Sequence, residues 1–354
     1  MSNKFKAGEL VEVRPAAEIL ATLDDTGCLE NLPFMPEMIP YVGGTYRVSK
    51  RAHKTCDTVH QTGGRRLDNC VHLEDQRCDG AGHDGCKATC LLFWKTDWLR
   101  PAPPDARPND DSGPVSSSDN AALEALSRSV VKNHDPETDD FVYRCQATAL
   151  YDATQPLAWY DPRQYAEDLT SGNTTLRYML RVWFFHGLHK LMGLGIGYGL
   201  WAKLYDALQP RVGGFRNPFR SGSVPDTEKT PEQILNLQPG EKVRIRSHDE
   251  ILATLNGANK NRGMRFDAEM VPYCGKVYTV RRRVDKIIHE TTGQMIDIKT
   301  PSVILDGVVC ASEMSPCRLF CPRAISSYWR EIWLERVESD STGSRPDQSP
   351  AAQG

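Results

Sequence analysis

The amino-acid sequence predicts an α+β protein in which two duplicated small β-barrels flank a helical central module. Three observations carry that expectation. Residues 6–54 align without a gap onto residues 238–286, at a constant offset of 232, so that EILATL occurs both at Glu18–Leu23 and at Glu250–Leu255. Within each copy, short runs alternate apolar and polar residues, the period of a half-buried strand. Between the copies, Thr174–Leu208 is the most apolar part of the chain and has no counterpart in either of them. Two copies of roughly a hundred residues are a domain duplication and not a short-period solenoid.

Each copy opens with a turn glycine, Gly8 or Gly240, followed by an alternating run, Glu9–Arg14 (ELVEVR) or Glu241–Arg246 (EKVRIR). Alternation returns at Thr45–Ser49 and Val277–Val280. Val71–Leu73 and Val303–Leu305 are short apolar runs, and a tryptophan-rich segment closes each copy. Five short strands separated by Gly- and Pro-containing turns suit a small barrel. Phe34, Glu37, Met38, Pro40, Tyr41, Gly43, Tyr46, Val48 and Lys54 recur as Phe266, Glu269, Met270, Pro272, Tyr273, Gly275, Tyr278, Val280 and Lys286. The shared pattern, GxxVxV followed by EM-x-x-Y-x-G-x-x-Y-x-V, resembles that of SH3-like barrels over about fifty residues per copy. The resemblance implies two SH3-like folds, at residues 1–100 and 235–338. Residues 101–119, rich in Pro, Asp and Ser, read as a disordered linker, 221–234 as a second linker and 339–354 as a disordered tail.

The chain has 354 residues, a net charge of −3 and 25% charged residues. This length holds two or three domains. The charge gives no whole-chain case for nucleic acid as a partner. The N-terminus carries no apolar stretch of the kind a secretory signal needs, which points to the cytoplasm. In a reducing compartment clustered cysteines are more often metal ligands or reactive thiols than disulfides, and there are 11 of them.

The cysteines themselves are duplicated. Cys78, Cys86 and Cys90 precede Phe93, Trp94 and Trp98; Cys310, Cys317 and Cys321 precede Tyr328, Trp329 and Trp333. Cys86 and Cys90 are four apart, so a helical turn would bring both sulfurs to one face. A tetrahedral site needs a fourth ligand. In the first copy Cys56 is the first choice, with Cys70 and His83 as alternatives. The position aligned with Cys56 in the second copy is Ile288, and His289 beside it offers an imidazole instead. Zinc and an iron–sulfur cluster both remain open as the cofactor. The tryptophans read as core residues on a strand, with Lys95 and Arg330 pointing outward.

In the central module, residues 120–220, Ala121–Val131 and Tyr160–Leu169 read as helices, the latter with Pro162 in its first turn. Val182–Ala202 is long enough to span a bilayer, but His186, His189 and Lys190 penalise a simple crossing. Peripheral membrane contact through 182–202, or burial, fits better. Asp152, Trp159–Asp161, Arg163–Tyr165, Asp168 and Asn173 could line a substrate pocket. The expected function is a metal-binding accessory protein, acting through binding or electron transfer with a protein partner. An iron–sulfur oxidoreductase with its pocket in residues 140–220, or a membrane-associated scaffold with peptide-binding barrels, are the alternatives.

Overall fold

The structure, a computed structural model, describes residues 5–108, 121, 125–126, 129–137, 140–195, 197–212, 215, 217–315 and 318–337. Alternation sets the first strand of each copy. In Leu10–Val13 the side chains of Val11 and Val13 are buried; in Lys242–Ile245 those of Val243 and Ile245 are. Each of these strands lies in a five-stranded antiparallel sheet. The first sheet runs Trp94–Lys95, Cys70–Leu73, Thr45–Arg51, Leu10–Val13, Leu99–Pro101. The second runs Ser326–Arg330, Ser302–Val309, Val277–Arg283, Lys242–Ile245, Leu334–Arg336. Order and register are the same, with Val11 opposite Tyr46 and Val243 opposite Tyr278. A bulge falls at equivalent places, between Val48 and Lys50 and between Val280 and Arg282.

The duplicated EILATL is explained by packing. Its first residues form a one-turn helix, Ala16–Leu20 or His248–Leu252, that buries Ile19 or Ile251. Its threonine then serves a tryptophan. Trp98 Nε1 donates to Thr22 Oγ1, and Trp333 Nε1 to Thr254 Oγ1, each at 3.0 Å. A buried indole N–H without such an acceptor would be costly. Phe34 meets the Trp98 ring edge-on at 5.1 Å, and Phe266 meets Trp333 at 5.4 Å. Lys95 and Arg330 do not point outward as expected; both are buried. The backbone turns into a 3-10 helix straight after each of them, which takes the chain out of strand alternation. Lys95 pairs with Glu30, and Arg330 Nη1 donates to the Thr300 carbonyl at 2.7 Å.

The two copies exchange hairpins. In the first copy Lys54–Cys56 pairs with Gly64–Arg66, and in the second Lys286–Ile288 pairs with Met295–Asp297. The second hairpin packs on the first copy, where Ile288 belongs to the core with Ile287 and Met295 against it. The N–H of Lys87 donates to the Lys286 carbonyl at 2.9 Å, and Lys286 Nζ lies 2.9 Å from Asp84 Oδ2. The first hairpin reaches back the other way. Cys56 meets second-copy residues, and Thr58 Oγ1 accepts from Arg323 Nη1 at 2.8 Å and donates to Glu290.

The central module is mixed. A hairpin, Val131–Asp135 with Asp140–Tyr143, precedes the helices, and Gln155–Leu157 adds a third strand to the first exchanged hairpin. Pro162–Thr170 starts as expected, capped by Asp161. The long apolar run is not one helix. Gly195 and Gly197 take left-handed backbone (φ 73° and 68°), a conformation costly for other residues, and split it into Leu176–Gly193 and Tyr198–Leu208. Among the described residues no helix is long and apolar enough to cross a membrane. Residues 221–234, read as a second linker, run along the second copy. There Gly222 N–H donates to Asn259 Oδ1 at 2.8 Å and Arg262 N–H to Thr230 Oγ1 at 2.9 Å. The expected tail lies outside the described residues.

Candidate metal centre

The duplicated pair Glu-Met of each copy enters a short 3-10 helix, Pro36–Tyr41 or Ala268–Tyr273, that buries its glutamate. Glu37 Oε1 accepts from the N–H of Gly82 at 3.0 Å and lies 3.0 Å from His83 Nδ1, though out of hydrogen-bonding alignment. This clamps the loop that follows Cys78. Gly80, at φ 82°, lets the loop close, since a Cβ there would stand 2.1 Å from the Cys86 carbonyl oxygen. The other ring nitrogen, His83 Nε2, faces Cys78 Sγ at 3.9 Å, and Cys78 Sγ lies 3.6 Å from Glu37 Oε1. Glu37, Cys78 and His83 thus form a buried cluster that could hold a metal ion.

Three more thiols converge on it. Cys86, Cys90 and Cys145, with Cys78 and His83, line a cavity of about 20 Å³, room for one small occupant. Ile288 closes the cavity from the second copy, its N–H 3.4 Å from Cys86 Sγ. Burial pushes Cys90 up to about 11 and Cys145 up to about 12, and Cys78 further still. Cys86 goes the other way: burial raises it, but His83 and the N–H groups of Ala88 and Ile288 together bring it below the ordinary thiol value. Burial lowers His83, yet Cys86 and Glu37 lift it to about 9. The His83 imidazole therefore tends to hold a proton beside the Cys86 sulfur.

The second copy repeats the clamp. Glu269 accepts from the N–H of Met314 at 2.7 Å and of Glu313 at 3.2 Å, and Met314 is the residue aligned with Gly82. Cys310 faces a cavity of about 250 Å³ with Cys56, Glu269, Arg318 and Tyr328. Cys321 touches Cys56. That contact, with the cationic Arg323 and Arg318 nearby, pulls Cys56 below the ordinary thiol range.

Cys78, Cys86 and Cys90 line one cavity, although among the described residues only Cys78 of the three belongs to a cluster with metal-ligand spacing. Residues 86–90 are not a helical turn; Thr89 adopts a left-handed conformation (φ 50°) and the segment runs as a loop. Cys56, expected beside them, is carried by its hairpin to Cys310 and Cys321 instead. Cys70 lies in the first core, its thiol pushed up to about 12 by burial. His289 is exposed at its hairpin turn, with Nδ1 3.0 Å from Thr292 Oγ1. Cys317 lies outside the described residues. Sequence reasoning missed Glu37 and Cys145. Glu37 had a signal, since a glutamate kept in both copies within an apolar run is costly unless it binds something. Cys145 had none, since it lies in the central module, which has no counterpart in either copy.

A second buried polar group ties three elements together. Lys54 Nζ lies 2.6 Å from Asp168 Oδ2 and 3.3 Å from Gln164 Oε1, with the Tyr165 and Phe320 rings at 5.0 and 5.6 Å. Burial pushes Asp168 up to about 6 despite the ammonium, and lowers Lys54. Several residues read as a substrate pocket are spent on this contact. His189 packs between the rings of Tyr205 (4.8 Å) and Phe219 (4.4 Å). No known protein family matches the chain, and no curated protein or solved structure shows significant similarity to it.

Proposed function

We propose that the first cluster is a structural zinc centre, ligated by Cys78, His83 Nε2 and Cys86 with Cys90 or Cys145 as the fourth ligand. The observation that carries this is the buried Glu37–Cys78–His83 cluster, whose ligand atoms lie close enough to share one ion, at a cavity that Cys86, Cys90 and Cys145 also line. Thiolate and imidazole donors in a tetrahedral set suit zinc. A multinuclear iron–sulfur cluster, with its bridging sulfides, needs more room than this space offers. Glu37, 3.0 Å from His83 Nδ1, is the carboxylate placed to act as the outer partner of a ligating histidine. Four protein ligands leave no open position for substrate, so the role is binding and not catalysis.

In this reading the metal pins Ile288 and its hairpin onto the first copy. The two sheets are then SH3-like modules locked in one orientation, an accessory protein that presents two similar surfaces to a protein partner. A reducing compartment such as the cytoplasm would keep these thiols free to bind metal.

Metal analysis of the full chain and of single Cys78→Ser and Cys145→Ser variants tests the centre. The wild type should carry stoichiometric zinc, with less in Cys78→Ser, and a chelator should lower its unfolding temperature because binding is coupled to folding. Retained zinc in Cys145→Ser but not in Cys90→Ser names Cys90 as the fourth ligand. A brown, iron-containing protein, or full zinc in a Cys78→Ser/Cys86→Ser variant, overturns the proposal.

A further inference from the structure

The helix Leu176–Gly193 is apolar on both sides. Its inner side packs Met179 and Val182 against Phe320, and Phe185, Leu188 and Met192 against Tyr205 of the next helix. Helical geometry puts Leu176, Leu180, Phe184 and Leu191 on the opposite side, in one stripe, with Trp183 at its margin. Leu176, Leu180 and Phe184 are more than half exposed, and Leu194 and Leu200 at the hairpin tip are 69% and 67% exposed. Of the sixteen large hydrophobic residues exposed among the described residues, twelve lie between 159 and 219. A helix in water keeps polar residues on its outer face; one that is apolar all round belongs at an apolar boundary.

Charge indicates which boundary. Arg177 and Lys190, both exposed, border the stripe on its two sides. Between residues 170 and 220 there are seven Lys and Arg and a single acidic residue, Asp206, in a chain whose net charge is −3. Trp159, half exposed, lies under the Lys190 ammonium at 4.3 Å, adding an aromatic ring at the basic margin. We infer that this face rests on an anionic lipid bilayer, with the helix in the plane of the interface, its leucines and Phe184 among the acyl chains and its basic margin on the headgroups. Basic flanks, an apolar face and interfacial tryptophans are the features that hold an amphipathic helix there. A second copy fits the face less well, because a symmetric contact would set one basic margin against another.

Co-sedimentation of the full chain with phosphatidylcholine vesicles, and with equimolar phosphatidylcholine and phosphatidylserine vesicles, tests the assignment. Binding should be confined to the anionic vesicles, weaken with salt, and shift tryptophan emission to the blue. Arg177→Gln with Lys190→Gln removes two exposed charges and leaves the buried side of the helix unchanged. Partitioning should fall roughly thirtyfold, at about 1 kcal/mol per basic residue near an anionic surface. Leu180→Glu with Phe184→Glu should abolish it. The inference is overturned if the wild type does not pellet with anionic vesicles or if either variant binds as the wild type does. It is equally overturned if the wild type is a dimer that these substitutions dissociate, which would assign the face to a second copy.

Discussion

Replacing Asp168 with Asn keeps the shape of the Lys54 contact and removes its charge compensation. The two side chains are 0% and 3% exposed, so water does little to screen them. The acceptors left to Lys54 are neutral, the asparagine amide oxygen and Gln164 Oε1 at 3.3 Å. An ammonium left there must lose its proton or draw water into the contact. Breaking a buried pair from one side costs about 3–5 kcal/mol. The Tyr165 and Phe320 rings, at 5.0 and 5.6 Å, still face the cation and return on the order of 1 kcal/mol. The expected loss is therefore about 3 kcal/mol, read by denaturant unfolding at neutral pH. Lys54→Met with Asp168→Leu removes both charges and should restore or exceed wild-type stability, because desolvating two ions outweighs their attraction.

A single variant within about 1 kcal/mol of wild type, or a double variant as unstable as the single, would refute the reasoning.

Two further outcomes follow from the same packing. Asp57 Oδ1 accepts from the N–H groups of Val59 and His60, each at 2.9 Å, in the turn of the first exchanged hairpin. Although burial raises its pKa, the hydrogen bonds from Thr62, His60 and Val59 hold it at about 2 against 3.8. This stability is present above the higher value and is lost as pH falls through the lower. Asp57→Asn should cost on the order of 2 kcal/mol at neutral pH, with amide exchange at 57–64 accelerated first; an unchanged exchange pattern would count against it. Trp98→Ala and Trp333→Ala should each cost about 3–5 kcal/mol through the cavity left in a close-packed core, measured by thermal unfolding. A near-neutral result at either would show that the two cores are not equivalent.

Much of the fold is legible in the residues because it is local. Alternation in ELVEVR and EKVRIR, the paired tryptophans and the capped start at Asp161–Pro162 each depend on neighbours a few positions away. Clustering of Cys78, Cys86 and Cys90 is equally plain. Other features depend on what a residue meets across the chain. Lys95 sits in a tryptophan segment that looks like a plain strand, and only the 3-10 turn after it and the acceptor at Glu30 make it a buried cation. Gly195 and Gly197 look like weak points in one apolar helix until their left-handed backbone divides it in two. The exchange of hairpins could not be read at all. A hairpin can cover its own copy's thiol loop or its twin's with the same residues and similar local energy. Which one it covers is decided by the long-range packing of Ile288 and Cys56, and with it whether Cys145 or Cys56 stands beside the first cluster.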